Sequence, residues 1–404
     1  MTAARTVTKP NSPHDAVIVS SARTGIGTAF KGSLLDIDAL ELGTLAVGEA
    51  VRRSGVDPEL VDDVILGETL YGGGDIARYA AIEAGLVHAP GVAQNRHCAS
   101  GLTAVQSAAA SIRAGMDRVV VAGGAHSTST FPRTSRRVLG TDEWEEWNSP
   151  SHRDTPEAPN RDMSITVGWN AAVQAHVTRE EMDAWALRSH QRAIAAIDGG
   201  MFADEIFPVD VVDRAGDRKV FAVDEHPRRE TSMDKLASLK PLHPEIEGFS
   251  ITAGNSAGVN DGAAAMVLAR RELSEQIGLE PLASVRSWAS VGVPPSETGL
   301  APTIAIPKAL DRAGLGIDDV VLWEINEAFA SMCVATTRIL GIDDSLVNVL
   351  GSGCSLGHPI AMTGARMVIS LVNEIRRRGG GTGVAAMCAG GGMSTALVLD
   401  VPAG

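Results

Sequence analysis

Ala46–Val56 reads AVGEAVRRSGV, and in the other half of the chain Ala305–Leu315 reads AIPKALDRAGL. Each has apolar residues at helical spacing and closes with a glycine of the kind that caps a helix in the left-handed conformation. Each is soon followed by a related strand, VDDVILGETL from Val61 and IDDVVLWEIN from Ile317. A later pair, RVVVAGGAHST from Arg118 and AAMCAGGGMST from Ala385, reads in both halves as an apolar strand running into a glycine-rich turn. Helix, strand and glycine turn repeated in one order predict a duplicated α/β domain.

Working outward, Ala16–Ser20 reads as a short β-branched strand and Ala99–Ala114 as a small-residue helix ending at Gly115. Ala263–Ala269 and Thr395–Val401 read as strands closing the two halves. Residues from Phe131 to Ser250 differ in character, with Trp144, Trp147, several prolines and many arginines and acids. Thr178-x-x-Glu181 is a capping box that should open a helix through Ala195. This stretch is expected to be an insertion folded over one face of the core. The division predicted is 14–130 plus 251–283 for the first core domain, 131–250 for the insertion, and 284–404 for the second core domain.

The chain has 404 residues, 44% of them apolar and 21% charged, enough for two or three ordinary globular domains. Aromatics are 4% and glycines number 43, which suits closely packed layers with tight turns. A net charge of −14 argues against nucleic acid or an anionic membrane as partner, while leaving room for a local basic patch. Met1–Pro13 is polar, carries two prolines and reads as a loose leader. With no membrane-length apolar run and no charged-then-apolar signal, the expected location is the cytoplasm. The four cysteines Cys98, Cys333, Cys354 and Cys388 have neither metal nor disulfide spacing, so no metal site is expected.

Four clusters carry chemically active groups. In Asn95-Arg96-His97-Cys98-Ala99-Ser100-Gly101, Cys98 lies where a loop enters a helix. There backbone N–H groups and the helix dipole should favour a thiolate. In Gly351–Arg366, GSGCSLGHPIAMTGAR, His358 stands between Gly357 and Pro359, a rigid setting for a base that takes a thiol proton. Cys388-Ala389-Gly390-Gly391-Gly392 places a thiol beside free amide donors, suited to an oxyanion hole next to a proton-transfer group. Asn326-Glu327-Ala328-Phe329-Ala330 is a polar pair at a strand end, expected to be functional rather than core. Gly25-x-Gly27 lacks the third glycine of a dinucleotide site.

The set NRHCASG, NEAFA, GHPI and CAGGG, in this order, closely resembles the thiolase family. SARTGIG from Ser21, TAGNSAGVNDGAAA from Thr252 and STALVLD from Ser394 extend the likeness over nearly the whole chain from Asp15, most weakly between Phe131 and Pro159. The resemblance implies a five-layered αβαβα fold of two duplicated domains, with the insertion serving as the loop domain that binds coenzyme A. It implies that His358 activates Cys98, which takes an acyl group from one acyl-CoA. Cys388 then deprotonates a second, and the carbanion attacks the acyl-cysteine; thiolysis is the reverse. Asn326 would hold a water that joins His358 in stabilising the enolate oxygen. The backbone N–H groups of Cys98 and Gly390 would form a second oxyanion hole. Arg228 falls near the adenine nucleotide, and Met163, Ser256, Phe329 and Met362 belong with the substrate contacts. No cofactor is implied beyond the coenzyme A thioesters themselves, and a homodimer or homotetramer is implied.

Ketoacyl synthases and hydroxymethylglutaryl-CoA synthases share the fold class and a nucleophilic cysteine, but supply histidine, asparagine or glutamate where Cys388 stands. A condensing enzyme using a carrier-protein thioester and a catalytically silent CoA-binding homologue are the alternatives. Departures from the family pattern bear on substrate. Asp162 replaces a histidine before Met163. Ser256-Ala257 displaces the usual serine, Met362 sits in the histidine loop, and Thr298 stands where acetoacetyl-type enzymes carry methionine. The Tyr71–Arg78 dimer-contact segment is short.

Overall fold

The computed structural model describes residues 12–71 and 74–404. The loose leader, apart from Ser12 and Pro13, and two residues of the Tyr71–Arg78 segment lie outside them. The first half supplies strands β1 (Ala16–Arg23), β2 (Asp63–Gly67), β3 (Gly91–Gln94), β4 (Val119–Ser127) and β5 (Asn260–Arg270). The second supplies β6 (Ala283–Gly292), β7 (Val320–Ile325), β8 (Gly381–Ala389) and β9 (Met393–Val401). The main helices are α1 (Ala39–Ser54), α2 (Ile76–Glu83), α3 (Ser100–Ala114), α4 (Arg179–Asp198), α5 (Pro302–Ala313), α6 (Ala330–Leu340) and α7 (Thr363–Arg377).

The duplication predicted from the helix and strand repeats is a duplication of hydrogen-bond pattern. In the first half β2 pairs parallel to β4, β4 antiparallel to β5, and β5 antiparallel to β1. In the second, β7 pairs parallel to β8, β8 antiparallel to β9, and β9 antiparallel to β6. Edge strand β3 runs parallel to β2, and its counterpart is a single parallel bridge, Trp323 to Val347. The halves meet where β1 touches β6 over two residue pairs, Val17–Ser284 and Ile18–Ala283. The helix ends read as predicted: Gly55 and Gly314 follow α1 and α5 at φ of 67° and 70°.

Alternate residues along β1, β4, β5, β8 and β9 enter different apolar clusters, so these strands are buried on both faces, while β6 is only half-buried on one. Val120 and Ala122 join Leu322 and Met387 in a middle cluster around α3 and α7. Val119 and Val121 face α1 and α2 in a second cluster, and Trp323 and Ile325 face α5 and α6 in a third. The layers are therefore α1/α2, sheet, α3/α7, sheet, α5/α6. This is the five-layered αβαβα arrangement that the resemblance implied.

One reading of the repeat fails. Gly123 and Gly124 do not form a turn, because β4 runs through them to Ser127. A Cβ on Gly124 would stand 2.0 Å from the Ala361 carbonyl oxygen, and one on Gly123 2.1 Å from that of Ala264. These glycines let the segment ahead of α7 lie against the sheet; only Gly390–Gly392 forms a turn.

Residues 131–250 include α4, whose capping box between Thr178 and Glu181 is present in both directions. The segment's apolar residues are shared among all three clusters. Ala193 and Phe202 enter the middle one, Phe207, Val209 and Phe221 the first outer one, and Met182, Trp185 and Phe249 the second. It is stitched to both halves rather than folded over one face. Arg23 of SARTGIG makes one stitch. Fully buried, it donates to both oxygens of Asp224 at 2.7 and 2.9 Å and to Glu205 at 3.1 Å, and it stacks on Phe202. Removing one partner of a buried ionic group leaves uncompensated charge, a cost of about 3–5 kcal/mol. Arg23→Met is therefore expected to lower the urea unfolding midpoint by that equivalent. A midpoint equal to the parent's would mean that Asp224 and Glu205 do not depend on the guanidinium.

Candidate active site

Strand β3 delivers the chain to Asn95, and a tight turn then reverses it into α3. The Asn95 carboxamide oxygen accepts from the His97 N–H at 2.8 Å, and the Ser100 hydroxyl donates to the His97 carbonyl at 2.7 Å. The turn holds His97 at φ of 46°, a left-handed conformation that a non-glycine residue adopts only under constraint. Cys98 follows at the head of the helix. It keeps some accessible surface, yet its sulfur is surrounded by protein. Burial pushes the thiol up from its ordinary value, and the N–H groups of Gly390 and of Cys98 itself pull against that rise without overcoming it. The expectation that the helix end favours a resting thiolate is thus corrected, because desolvation is the larger effect.

His358 comes from the loop ahead of α7, which rests on the first turn of α3. A Cβ on Gly101 would meet the Ala361 carbonyl at 2.5 Å. The His358 N–H donates to the Asn260 carboxamide oxygen at 3.0 Å. Thr363 donates its hydroxyl to the Pro359 carbonyl at 2.9 Å, and His358 Nδ1 lies 2.7 Å from that hydroxyl oxygen. The network assigns the ring proton to Nδ1 and leaves Nε2 as a lone pair. Burial, then the fields of His126 and Arg366, bring the imidazole down to about 3, so it is neutral at physiological pH. A neutral imidazole with its partner nitrogen anchored is a ready proton acceptor.

Cys388 stands near the end of β8, with 2% of its surface exposed and its sulfur 3.6 Å from Met332 Sδ. Burial pushes its thiol well above the ordinary range, and the field of Cys98 adds to this. The turn that follows is Gly390–Gly392, with Gly391 at φ 81° and Gly392 at φ 77°. Where a Cβ on Gly390 would point, Met163 Sδ lies 3.6 Å away and the His97 ring 3.8 Å. Met163 and His97 thus pack against the Gly390 backbone.

Asn326 donates from Nδ2 toward His358 Nε2 at 3.4 Å, and its carboxamide oxygen is buried without a protein partner. Its neighbour Glu327 is not at the site. That buried carboxylate accepts from Trp185 Nε1, Ser189 Oγ, Asn348 Nδ2 and the Cys354 N–H, at 2.6–3.1 Å. It ties α4 and the histidine loop to the end of β7, a structural role that the polar pair concealed. Phe329 packs its ring on Gly168 and pairs by its backbone with Ser256. The Ser256 hydroxyl is turned to the Thr252 carbonyl at 2.7 Å. Met362 is fully buried in the middle cluster, with its sulfur against Gly262, and packs that layer. Arg228 lines a cavity of about 390 Å³ with His190, His226, Lys235 and Leu239, and Cys354 of the histidine loop contributes to its wall. Asp162, in place of the family's histidine, is 2.7 Å from His243 Nε2. Among the described residues no group of three His, Cys, Asp or Glu could hold a metal.

The profile described as thiolase, N-terminal domain, matches residues 16–272, and that of the thiolase C-terminal domain matches residues 279–401. An acetyl-CoA acetyltransferase of Pseudomonas aeruginosa is 41% identical over 403 residues, covering 95% of this chain and 99% of that protein. A 3-ketoacyl-CoA thiolase of Bacillus subtilis is 40% identical over 400 residues, covering 96% and 99%. The crystal structure of the Bacillus anthracis acetyl-CoA acetyltransferase superposes with a TM-score of 0.88 at 40% identity, over 96% of this chain and 99% of that one. Human mitochondrial 3-ketoacyl-CoA thiolase gives 0.87 at 33% identity, over 96% and 100%. Two profiles that together span nearly all of the described chain, and relatives matched almost end to end, show that this chain belongs to the thiolase family.

Proposed function

We propose that this chain is an acyl-CoA C-acyltransferase. It condenses two acyl-CoA thioesters, acetyl-CoA being the simplest, to a 3-ketoacyl-CoA and runs the reverse thiolysis through an acyl group on Cys98. The observation that carries the reading is the pair of thiols that serve one turn: Gly390 lies against His97, the residue before Cys98, and buried Cys388 stands two residues ahead of Gly390 at the end of β8. Neutral His358 takes the Cys98 proton as the sulfur attacks the first thioester carbonyl. The developing oxyanion is held by the Cys98 and Gly390 N–H groups, and the departing coenzyme A sulfur takes the proton of the Cys388 thiol, while His358 keeps the Cys98 proton on Nε2. The Cys388 sulfur, left as a thiolate once its proton has gone to the coenzyme A sulfur, then removes a proton from the α-carbon of the second thioester. A thiolate kept from solvent is the stronger base for that weak acid. His358 and a water on Asn326 stabilise the enolate oxygen. The carbanion forms the new carbon–carbon bond at the acyl carbonyl, and the Cys98 sulfur leaves and takes its proton back from His358.

The cavity beside Arg228 suits the nucleotide end of coenzyme A, with a cation and two histidines on its wall. A homodimer or homotetramer fits edge strand β3, which ends the sheet beside the nucleophile turn. The test is the intact mass of the protein after brief exposure to a panel of acyl-CoAs, with the modified peptide mapped. One acyl group on Cys98 is expected. Acylation from a carrier-protein thioester alone, or none from any donor, overturns the reading.

A further inference from the structure

We infer that Thr298 is a positioning residue for acyl transfer: its buried hydroxyl fixes the glycine turn that aims the Gly390 N–H at the Cys98 sulfur. The inference rests on the thiolase reading above. Gly390–Gly392 joins β8 to β9, which pair up to Ala389 and Met393, so the three glycines are the entire loop. Three consecutive glycines have little intrinsic preference between backbone conformers, and peptide flips within them meet no side chain. A loop of that kind does not hold one N–H on a developing oxyanion unless something outside it chooses the conformer.

Ser151 packs on Gly391, and the hydrogen bonds that hold Gly392 come from one short stretch ahead of α5. The Gly392 N–H donates to Thr298 Oγ1 at 3.0 Å, and that hydroxyl donates to the Pro295 carbonyl at 2.6 Å. The Val293 N–H donates to the Gly392 carbonyl at 2.7 Å. Both the N–H and the carbonyl of Gly392 are therefore taken, which fixes the peptides on either side of it, and Thr298 itself has no exposed surface. The Gly392 backbone also lies against the Val293 carbonyl, 2.1 Å from where a Cβ would stand. Without the Thr298 hydroxyl, the Gly392 N–H is buried with no acceptor, and a flip that wets it also swings the Gly391 and Gly390 peptides. The same stretch touches the catalytic roof. Gly299 abuts the Val167 carbonyl, just beyond Met163, so the glycine turn and the residue above it share one anchor.

Thr298→Ser and Thr298→Ala both remove the methyl group and differ only in the hydroxyl; Thr298→Val keeps the shape. Two readouts are compared with the wild type: kcat and KM for thiolysis, and amide hydrogen exchange of the peptide spanning Cys388–Ser394. The alanine and valine variants are expected to lose ~10-fold in kcat with KM within about twofold. Exchange in the glycine turn should rise by at least about tenfold. The serine variant should match the wild type in both. If valine disrupts folding, the serine and alanine pair decides alone. Equal kcat and equal exchange in serine and alanine variants overturn the role of Thr298, as does a loss confined to KM. A wild type that takes no acyl group overturns the thiolase reading instead, and the exchange comparison still decides whether the hydroxyl fixes the turn.

Discussion

Cys98→Ala is expected to take up no acyl group and to lose condensation and thiolysis together, by roughly 10⁴-fold or more. The two activities fall together because both pass through the same covalent intermediate, whichever direction the reaction runs. No neighbour can substitute. Cys388 is buried with its thiol pushed well above the ordinary range, Cys354 points its thiol to the Glu327 carbonyl, and Cys333 points its own to the Ile325 and Asn326 carbonyls. Folding should survive, since a single sulfur is lost from a partly exposed residue at a helix head, worth about 1 kcal/mol or less. The resting site holds a neutral thiol and a neutral imidazole rather than an ion pair, because burial raises one and depresses the other. The charge therefore arises only as the sulfur attacks, where the two N–H groups receive it on the substrate oxygen. Residual exchange of label between acetyl-CoA and coenzyme A in the alanine variant would show that the acyl group travels by another residue.

Much of this was legible in the chain because the duplication writes itself in local periods. The helical spacing that ends at Gly55 and again at Gly314 is a property of neighbouring residues, and so is the apolar strand from Val320. Four reactive motifs in family order did the same for Cys98, His358, Cys388 and Asn326. What was not legible depends on distant contacts. Gly123-Gly124 and Gly391-Gly392 look alike in sequence, and only the Ala361 carbonyl pressed against β4 separates a strand from a turn. Glu327 looks like a site residue until Trp185, Ser189 and Asn348 converge on it from other elements. The balance at Cys98 turns on how much water the folded pocket excludes, which no spacing of residues encodes. Thr298 reads as a missing methionine, and its hydrogen bond to Gly392 spans the turn from another strand's end.

Cys388→Ser separates the two half-reactions. Acylation of Cys98 by acetyl-CoA should stay within a few-fold of wild type, because His358, the Gly390 N–H and the Cys98 N–H are untouched. Condensation, and exchange of the acetyl-CoA α-protons with deuterium, should fall by roughly 10²–10⁴-fold, the usual worth of a positioned general base. Serine is close in size to cysteine but far less acidic. In a pocket that already pushes a thiol up, its alkoxide is out of reach. The hydroxyl also enters an apolar setting beside Met332 Sδ, where an unpaired donor costs about 1–3 kcal/mol. Cys388→Ala, which has no donor, serves as the control for that cost and should show the same split. The decisive quantity is the ratio of burst acylation to deuterium exchange in one enzyme preparation. A serine variant that keeps both would place the base elsewhere, on His358 or His97. One that loses both would make Cys388 a support of the Cys98 turn rather than the base.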